Sequence, residues 1–228
     1  MREFVIPPPA PASVPVSGGG RFPVRRIFCV GRNYAEHARE MGGNPEREAP
    51  FFFTKPADAV VTGDADMPYP PATRNLHHEM ELVVAIGTGG AEIAEDAALR
   101  HVWGYAAGID MTRRDLQNEA KKAARPWDMS KGFDHSAPIG DIVPATHLPD
   151  PTRGRIELSV NGTVRQSSDL SQMIWSVAET IAFLSRLVTL APGDLIFTGT
   201  PEGVGAVTRG DVLEGTIEGV GTVRTRIV

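Results

Sequence analysis

The stretch LHHEMELVVAIG (residues 76–87) carries two glutamates at the front of an apolar run. Residues 82–86 show no alternation of polar and apolar side chains, which is typical of a strand buried on both faces of a sheet. Side chains alternate along a strand, so Glu79 and Glu81 are predicted to project from one face. The pair fits either a cation site or an amphipathic strand whose glutamates face water.

A third carboxylate follows a second run of small apolar residues, GYAAGI, which ends at Asp110. Burying a carboxylate is costly unless it is paired or coordinated. Three carboxylates without a cysteine suit a hard divalent cation, either Mg²⁺ or Mn²⁺, with Ca²⁺ as a further option. The neighbouring His77 and His78 are interpreted as structural residues and not as ligands. Together these acids favour a divalent-cation site.

The segment HAREM places His37 and Glu40 three residues apart, on one face of a short helix. A carboxylate in that position can fix the tautomer of an imidazole and raise its basicity, as is needed when histidine deprotonates water. Taken alone, a His-x-x-Glu is more often the exposed polar face of a surface helix. Gly31 on one side and Gly42 and Gly43 on the other predict a lid, because glycines absorb backbone change as a segment closes.

Polar groups near other short apolar elements are weaker candidates for a site. Gln117 and Lys131 are, from sequence alone, compatible with surface positions. The loop FTGTPEGVG (residues 197–205) follows a predicted strand but is not a Walker A motif, because no Gly-Lys-Ser/Thr follows. Its backbone amides and the Thr200 hydroxyl could bind a carboxylate, and a plain tight turn is the alternative.

The second half of the chain has clear secondary-structure patterns. Residues 155–160, RIELSV, alternate and are followed by Asn-Gly, which predicts a β-hairpin. Apolar residues at helical spacing over 174–184 predict a helix, with Asp169 or Ser171 as its N-cap.

Strands outnumber helices along the chain, and few helices alternate with strands. This favours an α+β fold built on an antiparallel or mixed sheet over a doubly wound one. Residues 1–23, rich in proline and glycine, are predicted to be an extended leader, and residues 24–228 a single catalytic domain.

Composition narrows the class of protein. The 228 residues carry a net charge of −5, which argues against a nucleic-acid partner. The single cysteine, Cys29, indicates a reducing compartment, and no stretch approaches the ~20 apolar residues of a membrane span. We therefore expect a cytoplasmic protein without a membrane partner.

The order of the motifs carries more information than any one of them. The series GRNYAEHAREMG, FFFTKPADAVV, HHEMELVVAIG, GYAAGIDMTRRDLQ, PWDMSKGFDHSAPIG, LSVNG and LIFTGTPEGVG resembles the fumarylacetoacetate hydrolase family. The resemblance implies a mixed β-sandwich roll with a few peripheral helices, assembled as a homodimer. Within the family the chain is most similar to the short acylpyruvate hydrolases. That similarity implies hydrolysis of a diketo acid, fumarylpyruvate, to fumarate and pyruvate in aromatic catabolism by the gentisate route.

The resemblance also implies residue roles. The metal carboxylates would be Glu79, Glu81 and Asp110, and the lid dyad would be His37 and Glu40. The groups that hold substrate oxygens would be Gln117, Lys131 and Thr200, with Lys131 also supplying positive charge during catalysis. For the far carboxylate of a fumaryl group the candidates are Arg32 and Arg114. Lys55 lies in a family-like Lys-Pro segment but receives no task.

Other activities stay open on the same three carboxylates. An oxaloacetate decarboxylase would form the same enolate without attack by water. A hydratase or isomerase of unsaturated hydroxy acids is a further alternative. A non-catalytic Ca²⁺-binding protein would use the acids structurally and would have no need of a lid.

Overall fold

The computed structural model describes residues 4–40, 48–148 and 151–228. Most of the secondary structure in these residues is short strands. In chain order they are β1 (Ser13–Pro15), β2 (Arg21–Pro23), β3 (Arg26–Gly31), β4 (Phe51–Lys55), β5 (Val60–Val61), β6 (Leu76–His78), β7 (Met80–Ile86), β8 (Val102–Ile109), β9 (Thr112–Arg113), β10 (Ala137–Pro138), β11 (Val143–Pro144), β12 (Arg155–Val160), β13 (Thr163–Asp169), β14 (Asp194–Phe197), β15 (Gly205–Val207), β16 (Val212–Ile217) and β17 (Gly221–Arg226). The α-helices are α1 (Ala35–Glu40), α2 (Glu95–Ala98), α3 (Arg114–Lys122), α4 (Asp128–Lys131) and α5 (Val177–Leu187).

The largest sheet has six strands in the order β11-β8-β7-β14-β3-β4. In this sheet β14 and β3 are parallel, and every other pair of neighbouring strands is antiparallel. A four-stranded antiparallel sheet, β13-β12-β16-β17, and a three-stranded one, β15-β6-β9, accompany it. The predicted α+β class with mixed sheets and few helices is confirmed.

Strand β7 lies inside the six-stranded sheet and is buried along its whole length. Leu82, Val84 and Ile86 belong to one apolar cluster, which also includes residues of the four-stranded sheet and of α5. Val83 and Ala85 point into a second cluster on the opposite face. The burial on both faces predicted from the unbroken apolar run is therefore confirmed, and it fixes the direction in which the glutamates before it project.

The N-terminal hairpin packs on the second apolar cluster. Strands β1 and β2 pair antiparallel, and Val14 and Phe22 from them are buried among residues of the central sheet. Part of the predicted leader, residues 1–23, is thus packed against the sheet, because the side chains of Val14 and Phe22 both point into the apolar cluster.

The predicted hairpin and helix of the second half are both present. Strands β12 and β13 pair antiparallel, with positive φ angles of 52° and 76° at Asn161 and Gly162. The cap predicted for α5 was wrong. Ser176 caps the helix in a reciprocal arrangement with Glu179, whereas Asp169 caps the preceding 3₁₀ turn. Asp169 is too far upstream because that turn lies between it and the helix. In the described part of the chain no helix has the length and apolar character to cross a membrane.

Candidate metal centre and active site

The acidic residues converge because of how the strands pair. Strand pairing is interrupted at Glu79, between β6 and β7, and Glu81 of β7 lies opposite Gly108 of β8. Asp110 follows β8, and its backbone N–H donates to the carbonyl of Glu79 over 2.8 Å. One carboxylate oxygen from each of Glu79, Glu81 and Asp110 therefore lies within 4.8 Å of the others, and all three residues are buried.

Three cationic side chains bind two of these acids. The Lys131 ammonium donates to Glu79 Oε2 at 2.8 Å and to Asp110 Oδ2 at 2.7 Å. The Lys55 Nζ lies 2.8 Å from Asp110 Oδ1, with both side chains fully buried. Arg114 pairs with the other oxygen of Glu79. Lys55, which received no task from the sequence, thus neutralises Asp110.

Glu81 has a different environment from the other two acids. Its Oε2 accepts from the Gly199 backbone N–H at 2.7 Å, and no ion pair with it is formed within the described residues. Burial, and then the nearby charges of Asp110 and Glu79, raise the pKa of Glu81 well above its usual range. Burial also acts to raise the pKa of Glu79, but the Lys131 and Arg114 charges outweigh it and hold that pKa far below normal.

The donor set fits a divalent cation. Oxygen ligands alone are the preference of Mg²⁺ and Mn²⁺, and each carboxylate oxygen can accept from more than one partner. Among the described residues, no cationic side chain contacts Glu81, and its raised pKa shows that the ionised form lacks a compensating positive charge. A cation among the three acids would supply that missing charge.

The short helix α1 brings His37 to the same cleft. His37 Nδ1 lies 3.2 Å from Glu40 Oε2, and the His37 side chain is 7% exposed. The Gly203 N–H in turn donates to both carboxylate oxygens of Glu40, at 3.2 and 3.3 Å. The helix is thereby docked on the glycine loop. Gly42 and Gly43 of the predicted lid lie outside the described residues.

The protonation of His37 follows from these contacts. Burial lowers the pKa of His37, and the opposing effects of Glu79 and Glu40 do not fully compensate. The lowered pKa favours the neutral imidazole at pH 7. Because the Glu40 carboxylate only accepts, the proton lies on Nδ1 and leaves Nε2 unprotonated. A neutral histidine with a free nitrogen in a cleft is suited to take a proton from water.

One cleft brings together most of the candidate site residues. Those lining it are Arg32, His37, Glu79, Glu81, Arg114, Gln117, Lys131 and Thr200. Gln117 accepts from Arg114 Nη1 at 2.6 Å through its carbonyl oxygen, so its NH₂ group is the part available to donate. Arg114 is a buried partner of Glu79 and Gln117, whereas Arg32 is exposed.

Gln166 was missed by the sequence analysis. Its carbonyl oxygen accepts from the Met80 N–H at 3.0 Å and lies 3.0 Å from His78 Nδ1. Its NH₂ group donates to Thr200 Oγ1 at 2.8 Å and to the Pro201 carbonyl at 2.9 Å. One buried amide thus joins the strand between the two glutamates to the loop that carries Thr200. No local signal points to it, because a glutamine within TVRQSSD has the pattern of an exposed strand.

The two histidines beside the glutamates are held by hydrogen bonds to side-chain amides. His77 Nε2 lies 2.9 Å from Asn75 Oδ1, and His78 is bound to Gln166. Burial lowers both pKa values, that of His77 to about 4. Neither histidine belongs to the group of acids that could hold a metal. Their interpretation as structural residues stays a prediction.

A larger groove of about 780 Å³ lies elsewhere on the surface, between Arg153, Asp169 and Glu218. Its charged side chains are exposed or half-buried. It offers none of the buried acids and bases that catalysis requires.

Comparison with known proteins identifies close relatives. Residues 26–228 match the family described as fumarylacetoacetate (FAA) hydrolase, C-terminal. A fumarylpyruvate hydrolase of Ralstonia sp is 48% identical over 176 residues, which cover 77% of this chain and 91% of that protein. The mitochondrial oxaloacetate tautomerase of Rattus norvegicus is 44% identical over 203 residues, covering 89% and 91%. The crystal structure of fumarylpyruvate hydrolase from Pseudomonas aeruginosa in complex with Mn²⁺ and pyruvate has a TM-score of 0.97, with 55% identity and 99% of both chains covered.

Proposed function

Because the chain belongs to the fumarylacetoacetate hydrolase family, we propose that it is a metal-dependent acylpyruvate hydrolase that converts fumarylpyruvate to fumarate and pyruvate. One observation carries this proposal. A single cleft is lined both by acids of the candidate metal site and by a neutral histidine held by a carboxylate. The relative of known structure that binds Mn²⁺ and pyruvate supports it.

The reaction breaks the bond between the second carbonyl carbon of the diketo acid and the methylene of its pyruvoyl end. His37 takes a proton from water, whose oxygen attacks that carbonyl. The bond then breaks, and the methylene carbon leaves with the electron pair as the enolate of pyruvate. Protonation of this carbon by the histidine completes pyruvate and restores the base. General base catalysis of this kind contributes ~10²–10⁴-fold to the rate.

Two roles follow for the polar groups around the cleft. A divalent cation held by Glu79, Glu81 and Asp110 would act as a Lewis acid that stabilises negative charge on the pyruvoyl oxygens. Lys131 and the NH₂ group of Gln117 would stabilise an oxygen that becomes anionic, where loss of one donor commonly costs about 3–4 kcal/mol.

Thr200 would hold the pyruvoyl carboxylate. Its hydroxyl oxygen already accepts from Gln166 at 2.8 Å, which leaves the hydroxyl proton to donate. The loop that carries Thr200 requires a glycine at position 199. Gly199 has a φ of 94°, and a Cβ on it would clash with Asn33 Cβ at 2.6 Å.

We also propose a compartment, an oligomeric state and a metabolic route for the enzyme. We expect a cytoplasmic homodimer that acts in the gentisate route of aromatic catabolism. Two curated or solved fumarylpyruvate hydrolases among the relatives support the reaction itself. Residues 1–23 are proposed as a leader and 24–228 as the catalytic domain.

A second candidate function is tautomerisation of oxaloacetate. The tautomerase relative, 44% identical over 89% of this chain, favours it. A neutral His37 beside the acids could equally remove a proton from the methylene of oxaloacetate. That reaction needs no attack by water and no acyl group.

The test is a comparison of substrates with the purified protein. Loss of the diketo-acid absorbance is followed with fumarylpyruvate and Mg²⁺ or Mn²⁺, and fumarate and pyruvate are quantified. Oxaloacetate is assayed for ketonisation and for decarboxylation in parallel. Stoichiometric fumarate and pyruvate are expected. Ketonisation of oxaloacetate without cleavage of fumarylpyruvate would replace the proposal by the tautomerase.

A further inference from the structure

Three aromatic rings form a wall beside the cleft. Trp127 meets Phe51 edge-on at 5.3 Å between ring centroids, and Phe53 at 5.9 Å. Phe53 and Trp127 line the cleft itself, and Phe51 extends the surface outward along edge strand β4. Phe51, Phe53 and Trp127 are called the aromatic wall below.

Each ring of the aromatic wall has a cation over it. Lys131 Nζ lies 4.9 Å from the centroid of Phe53, Lys121 Nζ 5.1 Å from that of Trp127, and Arg32 Cζ 5.9 Å from that of Phe51. Such distances allow attraction between the cation and the ring face. The wall therefore presents one inner cation next to the acids and two outer ones, Lys121 and Arg32.

The outer cations differ from the inner one in their partners. Lys131 is bound to Glu79 and Asp110. Across residues 4–40, 48–148 and 151–228, neither Lys121 nor Arg32 has a carboxylate within ion-pair distance. Both nevertheless line the same cleft as the acids. A ligand carboxylate would stabilise the charge of a half-buried ammonium group that has no anionic partner.

The surroundings of Lys121 support this view. Burial, followed by the charges of Arg114 and Arg32, lowers the pKa of Lys121 to about 8. An excess of positive charge therefore surrounds this end of the cleft. Arg114 itself already pairs with the Glu79 carboxylate and donates to Gln117, unlike Lys121 and Arg32.

We propose that Lys121 and Arg32 form the subsite for the far carboxylate of the acyl group, whose flat conjugated chain packs on the aromatic wall. This inference rests on the proposed function. It adds Lys121, which no sequence pattern selected, and replaces Arg114 in this role. It also assigns a chemical class: acyl groups that end in a carboxylate are preferred over acyl groups that end in a methyl group.

The first test is a selectivity measurement. Fumarylpyruvate and acetylpyruvate differ in whether the acyl group carries a far carboxylate. In Lys121→Gln we expect the ratio of kcat/KM for fumarylpyruvate to that for acetylpyruvate to fall by at least about tenfold, as is typical for loss of a charge-assisted hydrogen bond. Lys121→Arg should restore most of the ratio. The matched control is Lys122→Gln, on the same helix but exposed, which should keep the parental ratio.

The second test measures binding and needs no turnover. Fumarate and crotonate share a four-carbon unsaturated chain, and only fumarate has a second carboxylate. Calorimetric titration should show that Lys121→Gln weakens fumarate binding at least about tenfold more than crotonate binding.

The outcomes separate the two proposals. An unchanged selectivity ratio or an unchanged fumarate affinity in Lys121→Gln would overturn the subsite. A parent protein that cleaves neither acylpyruvate would refute the proposed function, and the fumarate titration would still decide on the subsite.

Discussion

The contact between Glu40 and His37 allows a prediction with a defined magnitude. Replacing Glu40 by glutamine keeps the shape of the side chain and its ability to accept from Nδ1, but it removes the negative charge. A hydrogen bond to a charged group contributes about 1.5–3 kcal/mol. Because the Glu40 side chain is 35% exposed, screening by water places the effect at the lower end of that range. Since ~1.4 kcal/mol corresponds to a factor of ten, kcat/KM for fumarylpyruvate should fall about tenfold.

The pH profile separates a role in the chemistry from a structural role. Glu40 raises the pKa of His37, so its loss should lower that pKa further. The base is active when deprotonated, and the acid limb of kcat/KM should therefore move to lower pH in Glu40→Gln. A variant that had only lost stability would show a lower rate with the limb in its original place.

Glu36→Gln provides the matched control. Glu36 lies on the same helix, is exposed, and pairs with Arg39. Its replacement should change neither the rate nor the pH profile. A parental rate and an unmoved acid limb in Glu40→Gln would refute the assignment of the dyad.

Other substitutions test the framework of the site. Lys55→Met removes one of the two ammonium groups paired with Asp110 and leaves Lys131 in place, so it should cost about 1.5–3 kcal/mol in the free energy of unfolding in urea; an unchanged free energy of unfolding would show that Lys131 alone neutralises Asp110. Gln166→Leu leaves the Met80 N–H without its acceptor, at a cost of about 1–3 kcal/mol, and should also lower kcat/KM because Thr200 loses its hydrogen bond. Parental stability and activity in that variant would show that the amide is dispensable. Ser176→Ala removes the N-cap of α5 and should lower the free energy of unfolding by about 1 kcal/mol with kcat unchanged, and a lower kcat would contradict a purely structural cap.

The sequence predicted those features that depend on local patterns. The unbroken apolar run before Gly87 predicted burial of β7 on both faces, and alternation followed by Asn-Gly predicted the β12–β13 hairpin. The resemblance to the family, now confirmed, came from the order of seven motifs. The three acids could be grouped because Glu79 and Glu81 stand at the front of one apolar run and Asp110 at the end of another.

The features that the sequence did not predict depend on contacts between distant segments. Lys55 and Asp110 are 55 residues apart, at the end of β4 and just after β8, which are not neighbours in the six-stranded sheet, so only the folded chain brings the two side chains together. Gln166 lies in a polar strand whose other residues are mostly exposed, so its burial follows from the docking of the Thr200 loop. The cap of α5 was predicted wrongly because a 3₁₀ turn between Asp169 and the helix leaves no pattern of its own.

Binding of Mn²⁺ to metal-free protein tests most directly whether Glu79, Glu81 and Asp110 hold a divalent cation beside His37. Electron paramagnetic resonance of free Mn²⁺ gives the number of ions bound per chain, and fumarylpyruvate hydrolysis is measured on the same samples. We expect one ion per chain, activity that rises in proportion to it, and loss of both in Glu81→Gln, with Glu214→Gln, an exposed position on β16, unaffected. Full hydrolysis by the metal-free protein, or parental Mn²⁺ binding by Glu81→Gln, would contradict the metal-dependent mechanism.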